Sequence, residues 1–304
     1  MEVRFCMESR KLLLIINPVS GRLKIGASLL DILKVFSDAG YIVTVQTTRA
    51  KGDATRLVRE LGPGHDLVVL SGGDGTLNEG VEGLMEGGLD IPVGYIPCGT
   101  TNDFAASLGI ERENLRQAAE NIVNGKVNII DVGLFGRNRY FSYIASFGAF
   151  TGTSYSVPQT TKNVLGHLAY VLEGVKEVPN IRPINAKVSI NGEIIEEDSF
   201  IFGSVSNATS IGGIVKLDSN KVDFSDGMFE VMLVKKPRTA MELSKAILGM
   251  QTGDYTDSCI TMYHADSVSF EMENVIPWTL DGEFGSGERK VDIRVKHNAL
   301  KIVF

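Results

Sequence analysis

The sequence predicts two domains of different classes: an α/β domain with a parallel sheet, then a mostly antiparallel β-sandwich. Strand and helix patterns alternate strictly over residues 1–130, whereas short β-rich runs separated by turn dipeptides dominate residues 131–298. The length of 304 residues is sufficient for two such domains. Strict alternation implies a parallel sheet with helices on both faces and a ligand site at the carboxyl ends of its strands.

The pattern of apolar residues and the glycines that end helices predict the strands and helices of the first domain. The run from Leu67 to Leu70 is wholly apolar, as expected for a buried parallel strand, and Gly40 and Gly62 end two helical patterns. Strands are predicted over residues 11–16, 41–47, 67–70 and 92–96, and helices over residues 25–39, 53–61, 77–85 and 115–124.

Turn signals organise the second domain. Asn191-Gly192 and Asp226-Gly227 are typical of tight turns between strands. Strands are predicted over residues 127–134, 139–145, 184–190, 193–206, 228–234, 267–273 and 291–295, and helices over residues 164–176 and 239–250.

Composition excludes several classes of protein. The net charge of −7 argues against broad nucleic-acid binding. No apolar run approaches the roughly 20 residues of a membrane-spanning helix, and no signal peptide is visible. Three scattered cysteines form neither a disulfide framework nor a zinc motif, which is typical of a reducing cytoplasm.

The loop after the third strand carries the strongest chemical signal. Its glycines allow close approach of a ligand, and the N-terminus of the next helix favours phosphate. Asp74 would repel phosphate unless a cation lay between them, so a magnesium nucleotide explains the pattern. Thr76 or Asn78 could cap this helix. A tight strand-to-helix turn with a solvated Asp74 is the alternative. The loop is neither a P-loop nor a dinucleotide fingerprint.

Two further loops are expected at the same edge of the sheet. After the first strand, Arg22 could hold a phosphate through its planar guanidinium group. After the fourth strand, Thr100 could bond a phosphate oxygen, and Asp103 could hold a metal-bound water opposite Asp74. A plain turn and helix capping by Asn102 or Asp103 remain the respective alternatives.

Taken in order, these loops resemble the diacylglycerol kinase catalytic-domain family, most closely its soluble bacterial lipid kinase branch. The motifs are Asn-Pro-x-Ser-Gly at residues 17–21, Gly-Gly-Asp-Gly-Thr-Leu-Asn-Glu at 72–79 and Pro-x-Gly-Thr-x-Asn-Asp-Phe at 97–104. The resemblance continues through residues 131–133, 165–170, 225–228 and 280–283, and so spans essentially the whole chain.

The resemblance implies a fold of the NAD kinase and diacylglycerol kinase type, with residues 299–304 returning to the first domain. It implies Glu283 as general base, with Asp74, Asp103 and Asp131 around a magnesium–water network. A structural Mg2+ would fall on Asp223, Asp226 and the carbonyl of Met228, although the residues before Asp226 leave the third ligand open. The implied nucleotide site comprises Asn17, Pro18, Val19, Ser20, Gly21, Arg22, Thr48, Gly73, Asp74, Gly75, Thr76, Leu77, Asn78, Glu79, Thr100 and Lys162.

The resemblance also implies a function: an ATP-dependent and Mg2+-dependent lipid kinase converting diacylglycerol into phosphatidic acid. The protein would be cytoplasmic and contact the inner face of the membrane transiently, without nucleic acid. Exposed edge strands are compatible with a homodimer. Open alternatives are another acceptor (phosphatidylglycerol, a sphingoid base, a prenol or a small polyol) and a non-catalytic nucleotide-binding regulator. NAD kinase shares the Gly-Gly-Asp-Gly motif but fits the first and last motifs less well.

Overall fold

The computed structural model describes residues 10–20, 24–100, 102–148, 182–208, 210–211, 215–216, 223–256 and 258–304. The chain forms two compact units, Met1–Ile130 with Ala299–Phe304, and Asp131–Asn298. The helix predicted at residues 164–176 lies outside the described residues, as do motif residues 165–170 and the predicted site residues Gly21, Arg22 and Lys162.

The first unit is built on a parallel sheet, as predicted. Its strand order is β2-β1-β3-β4, followed by the carboxyl end of β17, and all four pairings are parallel. The strands are β1 (Arg10–Ile16), β2 (Tyr41–Thr47), β3 (Leu67–Gly72), β4 (Val93–Pro97) and β17 (Lys290–Val303). The helices are α1 (Lys24–Asp38), α2 (Asp53–Leu61), α3 (Asp74–Gly87), α4 (Asp103–Ser107) and α5 (Leu115–Asn124).

Helices cover both faces of this sheet. Phe36 of α1 and Ile122 of α5 pack in one cluster with Leu12, Leu14 and Val69 of the strands. On the other face, Gly80 of α3 lies so close to Leu70 that an added Cβ would come within 2.2 Å of its side chain. Burial of both faces explains why β3 reads as an uninterrupted apolar run.

The second unit is mostly antiparallel. Its main path is β16-β15-β7-β9-β8-β14-β17; β12 pairs with β9 and β13, and β5 pairs with β6 and β17. The strands are β5 (Val127–Phe135), β6 (Arg139–Phe141), β7 (Ile144–Gly148), β8 (Ile184–Ile190), β9 (Glu193–Ser206), β10 (Ser210–Ile211), β11 (Val215–Lys216), β12 (Phe229–Lys235), β13 (Ile260–Ala265), β14 (Ser267–Met272), β15 (Pro277–Leu280) and β16 (Glu283–Ser286). One helix, α6 (Ala240–Thr252), is described here, and Thr239 caps it.

Aromatic rings form the centre of the second core. The Trp278 ring lies 4.8 Å from Phe147, 5.1 Å from Phe135 and 5.3 Å from Phe270, measured between centroids. Trp278 has no exposed surface. Tilted and edge-on ring pairs of this kind add to the stabilisation from apolar burial.

Some element predictions were wrong in detail. The single strand predicted over residues 139–145 is two strands, because the backbone N–H groups of Ser142 and Tyr143 bond to the Asp281 carboxylate. The helix predicted from residue 77 begins at Asp74. Strands β13, β15 and β16 and helix α4 were not predicted. Within the described residues, no helix is long and apolar enough to cross a membrane.

Candidate active site

The loop after β3 is short and lies against the loop after β4. Gly73 occupies the N-cap position of α3 without a side-chain cap, so the predicted capping of this helix by Thr76 or Asn78 was wrong. A Cβ added to Gly99 would lie 2.6 Å from the Gly73 Cα. Only glycine permits this approach, which brings two of the predicted site loops together.

The carboxylate of Asp74 joins the same two loops. Its Oδ2 accepts a hydrogen bond from the Asp103 backbone N–H at 3.0 Å, and its Oδ1 accepts one from the Phe104 N–H at 3.4 Å. Both N–H groups belong to the first turn of α4, where they have no partner within the helix. Asp74 therefore holds the start of α4, and Asp103 lies beside it.

Burial raises the pKa of both carboxyl groups. Desolvation raises the pKa of Asp74, against the lowering effect of its backbone hydrogen bonds. Desolvation, and then the charge of Asp74, raise the pKa of Asp103 to about 6, while Arg112 opposes the shift. Two neighbouring carboxylates that are costly to ionise favour a cation, since its charge offsets both penalties.

Asn102 fixes the shape of the loop after β4. It adopts a left-handed conformation with φ of 51°. Its side-chain oxygen accepts from the Gly99 N–H at 3.0 Å and the Tyr95 hydroxyl at 3.3 Å, and its side-chain nitrogen donates to the Gly99 carbonyl. Asn102 is the N-cap residue of α4 but makes no side-chain cap, contrary to the capping alternative. Thr100, at the tip of the loop, is exposed.

The loop after β1 joins the group through Asn17. The Asn17 side-chain nitrogen donates to the Thr76 hydroxyl at 3.1 Å, and its backbone N–H donates to the Ser71 carbonyl. The Asn17 side-chain oxygen accepts from the Val19 N–H, which orders the described part of the loop. Three loops that follow separate strands thus meet at one edge of the sheet.

The end of the second motif also supports the neighbouring helix. The Glu79 carboxylate accepts from the backbone N–H groups of Gly52 and Ala54 at the start of α2, at 2.8 and 3.2 Å. Leu77 is buried. These contacts are structural, and a role of either residue in nucleotide binding stays a prediction.

In the second unit, Glu283 lies on a firmly anchored hairpin. Asp281 and Gly282 form the turn between β15 and β16 with φ of 48° and 83°. The buried Asp281 carboxylate accepts from the backbone N–H groups of three consecutive residues, Ser142, Tyr143 and Ile144. Glu283, half-buried, begins β16 directly after the turn. Sequence reasoning missed the role of Asp281, although an Asp-Gly pair before a β-rich segment signals a tight hairpin.

Asp131 is enclosed by protein N–H groups. It has no exposed surface. Its Oδ2 accepts from the Gly227 N–H at 2.7 Å, and its Oδ1 accepts from the Asn298 N–H at 2.6 Å and lies 3.1 Å from His297 Nδ1. Asp131 thus ties β5 to the Asp226-Gly227 turn and to β17.

Comparison with known proteins identifies the family. The diacylglycerol kinase catalytic domain model matches residues 11–135, and the YegS C-terminal NAD kinase beta sandwich-like domain model matches residues 149–304. A diacylglycerol kinase of Bacillus subtilis (strain 168) is 36% identical over 273 residues, which cover 90% of this chain and 89% of that protein. A diacylglycerol kinase of Staphylococcus aureus (strain MRSA252) is 30% identical over 275 residues, with coverage of 90% and 85%. This chain belongs to the diacylglycerol kinase family. It is a lipid kinase.

Solved structures support the fold of this lipid kinase. A diacylglycerol kinase from Bacillus anthracis strain Sterne superimposes with a TM-score of 0.76 at 23% identity, over 97% of each chain. An NAD kinase from Archaeoglobus fulgidus, solved with ATP, superimposes with a TM-score of 0.51 at 14% identity, over 97% of this chain and 92% of that one. The predicted fold of NAD kinase and diacylglycerol kinase type is confirmed.

Membership of a kinase family implies the use of ATP, and the structure shows which side chains could bind the cation that accompanies it. Across the described residues, no three His, Cys, Asp or Glu side chains are grouped as a metal site. The half-buried Asp74 and the adjacent Asp103 nevertheless supply the carboxylate oxygens that Mg2+ prefers, and a magnesium nucleotide brings phosphate and water oxygens for the other positions. The residues present therefore fit a magnesium nucleotide.

The proposed structural Mg2+ site has a different environment. The Asp226 Oδ1 accepts from the Met228 N–H at 2.8 Å, and its Oδ2 lies 3.5 Å from His264 Nε2. The Asp223 Oδ1 accepts from both the N–H and the hydroxyl of Ser225. Both carboxylates are partly engaged in their own turn, so a metal bound by Asp223, Asp226 and Met228 stays a prediction.

Proposed function

We propose that this lipid kinase transfers the γ-phosphoryl group of ATP to the free hydroxyl of diacylglycerol, giving phosphatidic acid and ADP. The observation that carries the proposal is the Asp74 carboxylate, half-buried beside Asp103 at the edge where three loops of the first unit meet. Phosphoryl transfer depends on positioning and charge neutralisation, and this arrangement suits both.

The residues of the chain have separate roles in this proposal. Asn17, Gly73 and Thr76 hold the nucleotide phosphates together with the other residues that the resemblance names, and Asp74 and Asp103 hold the cation. Bound Mg2+ supplies positive charge to the triphosphate. Glu283 accepts the proton of the lipid hydroxyl, and the anchored turn at Asp281 holds it in position. Asp131 supports the Asp226-Gly227 turn.

The proposed place of reaction is the cytoplasmic surface of the membrane, where the acceptor resides. The names of the relatives support diacylglycerol as acceptor. The same chemistry on phosphatidylglycerol, a sphingoid base or a prenol is the alternative to be tested.

The test is transfer of label from γ-labelled ATP to a panel of these lipids in mixed micelles with Mg2+. We expect Glu283→Gln to lower kcat by about 10²–10⁴-fold, because general base catalysis contributes about that factor. ATP affinity should stay within about twofold of wild type, since a general base is not needed for binding.

The matched control is Glu288→Gln, which makes the same change at an exposed position shortly after β16. It should leave kcat unchanged. Label on another lipid would replace diacylglycerol as the acceptor. Wild-type protein that binds ATP but labels no lipid would contradict the proposal, as would full activity in Glu283→Gln.

A further inference from the structure

At one edge of the sheet of the first unit, a strand has a neighbour on one side only. Among the described strands, β2 pairs with β1 alone. Thr48, directly after β2, donates its N–H to the Ile16 carbonyl of β1 at 2.9 Å. Backbone groups alternate between the two sides of a strand, so those of the odd-numbered residues of β2 point away from β1. These residues are Tyr41, Val43, Val45 and Thr47.

The β2 edge lacks the features that usually protect such a strand from pairing. Its sequence, Tyr-Ile-Val-Thr-Val-Gln-Thr, contains no charged residue and no proline, and its register with β1 has no bulge. Ile42 and Val45 expose 55% and 37% of their surface. An edge strand of the second unit differs, since β16 is four residues long and begins with Glu283. A long, uncharged and apolar edge is open to pairing with another strand.

The backbone of β2 is complementary to a second copy of itself. A two-fold axis at Thr44, the middle residue of the strand, would make two copies antiparallel and pair all 7 positions. Tyr41 then lies opposite Thr47 of the second copy, and Val43 lies opposite its Val45. These are the residues whose backbone groups point outward, so each pair exchanges two hydrogen bonds.

Side chains and charges agree with this pairing. Val43 packs against the core of the first unit, and the exposed Val45 of one copy would cover Val43 of the other. Beyond the strand, Arg49 lies opposite Ala39 of the second copy and therefore next to its Asp38. The side chains of Arg49 and Asp38 are 82% and 65% exposed, so both are accessible to the second copy. The two-fold axis repeats the contact, so opposite charges meet twice.

We infer that the protein forms a homodimer in which two β2 strands pair edge to edge and join the sheets of the two first units. The partner is a second copy of this chain, because the length, the outward backbone groups and the flanking charges of β2 match the same strand reversed. The inference goes beyond the proposed function and does not depend on it, since phosphoryl transfer neither requires nor excludes this pairing.

Sedimentation velocity over a range of concentrations tests the assembly. Wild type should have twice the mass of one chain, and Val45→Lys should be a monomer where wild type is a dimer. The Kd of the dimer should rise at least about 100-fold, because each dimer would bury two ammonium groups at a cost of about tenfold each. Ile194→Lys, the same kind of change at a residue of β9 that is 57% exposed, should leave the mass unchanged.

Cysteine cross-linking tests the register. In the proposed pairing the two copies of Thr44 face each other in a non-hydrogen-bonded pair, with Cα atoms about 4.5 Å apart, which suits a disulfide. Thr44→Cys should therefore form a covalent dimer with oxidised glutathione as oxidant. Ile42→Cys is the matched control, because it lies on the same face and is more exposed. Its two copies would be about 13 Å apart along the strands, too far for a disulfide.

Wild type with the same oxidant gives the baseline for the native cysteines. A wild type that is monomeric at every concentration overturns the inference, as does a dimer that Val45→Lys leaves intact. Equal cross-linking of Thr44→Cys and Ile42→Cys also overturns it, since the pairing is centred on Thr44. A dimer that Val45→Lys dissociates and Thr44→Cys traps supports it, whether or not the protein phosphorylates diacylglycerol.

Discussion

Two carboxyl groups of the first unit lie in surroundings that disfavour their ionised form. Asp74 and Asp103 share the edge of the sheet, and burial raises the pKa of each. A protein that needed these residues only to cap a helix would gain more from ionised carboxylates in solvent. The arrangement lowers stability in the absence of a cation and favours binding of one.

This penalty predicts a pH dependence of stability. The pKa of Asp103 is about 6 in the folded protein against an ordinary value of 3.8. Between these values the folded protein binds more protons than the unfolded chain, so the free energy of unfolding falls as pH rises through this window. Asp103→Asn should remove this decrease and be more stable than wild type above pH 6. The gain should be about 1 kcal/mol, below the limit of about 3 kcal/mol that the shift sets, because the site is partly solvated.

Urea denaturation at pH 5 and pH 7.5, without metal or nucleotide, measures this difference. Glu113→Gln, a change of the same kind at an exposed position, should give parallel curves. A wild-type stability that rises from pH 5 to 7.5 relative to Asp103→Asn would show that the Asp103 carboxylate stabilises the fold.

At the scale of single residues, the sequence motifs predicted some contacts and not others. The pairing of Asp74 with Asp103 was predictable, because both follow strands whose carboxyl ends meet at one edge. The anchoring role of Asp281 was not, because its partners, residues 142–144, lie about 140 positions away and contribute only backbone N–H groups.

The β15–β16 hairpin depends on that anchor. Asp281→Ala removes the acceptor of three buried N–H groups and also places alanine in a left-handed conformation. Asn191→Ala, in the exposed turn between β8 and β9, has the same conformation, with φ of 52°, but buries no side chain. We expect about 1 kcal/mol of destabilisation for Asn191→Ala and at least about 3 kcal/mol more for Asp281→Ala.

Equilibrium unfolding in urea separates the two contributions, since their difference isolates the carboxylate bonds from the backbone strain. Phosphoryl transfer by Asp281→Ala should fall together with stability. Equal losses of stability in the two variants would mean that the carboxylate anchors nothing.

Replacing a glycine by alanine can test the contact between the loops after β3 and β4. In Gly99→Ala the new Cβ would lie 2.6 Å from both the Gly73 Cα and the Asn102 side-chain oxygen. Such overpacking costs about 1–3 kcal/mol, so ATP affinity should fall about tenfold or more. In Gly26→Ala, within α1, the Cβ has nothing within 4 Å. That variant should bind ATP normally and be more stable by up to about 1 kcal/mol. Equal ATP affinity in both, measured by calorimetry, would contradict the role given to the loop contact.

Elements with a strong local pattern were predictable to the residue. Strand β2, helix α2 and helix α5 have the predicted bounds, because apolar periodicity and flanking glycines mark them. Strands β15 and β16, four residues each, carry too few positions for a period to be visible. The break between β6 and β7 depends on a hydrogen bond to Asp281, which lies far away in the sequence. A prediction from neighbouring residues therefore could not find this break.

At the scale of the whole molecule, the first unit is discontinuous in sequence. Its sheet includes the carboxyl end of β17, where Ile302 pairs with Val93 and Val303 pairs with Gly94. Ile302 is fully buried. Ile302→Ala should therefore lower the free energy of unfolding by about 2–5 kcal/mol. The neighbouring Lys301→Ala, which loses only an ion pair to the exposed Asp90, should cost less than about 1 kcal/mol.

Thermal and urea unfolding, monitored by the loss of ATP binding, would show whether Ile302→Ala destabilises the first unit. If Ile302→Ala lowers the free energy of unfolding but ATP binding is lost at the same temperature as in wild type, then Ile302 does not stabilise the first unit.

The return of β17 has a consequence for biosynthesis. On the ribosome, residues 299–304 emerge only after all of residues 131–298 have been made, so the edge of β4 that they cover remains unpaired throughout that interval. The unit with the Gly-Gly-Asp-Gly loop, although translated first, is completed last. Newly made chains should therefore acquire nucleotide binding only after residues 299–304 have emerged, and stalled chains that lack this segment should be substrates for chaperones and proteases.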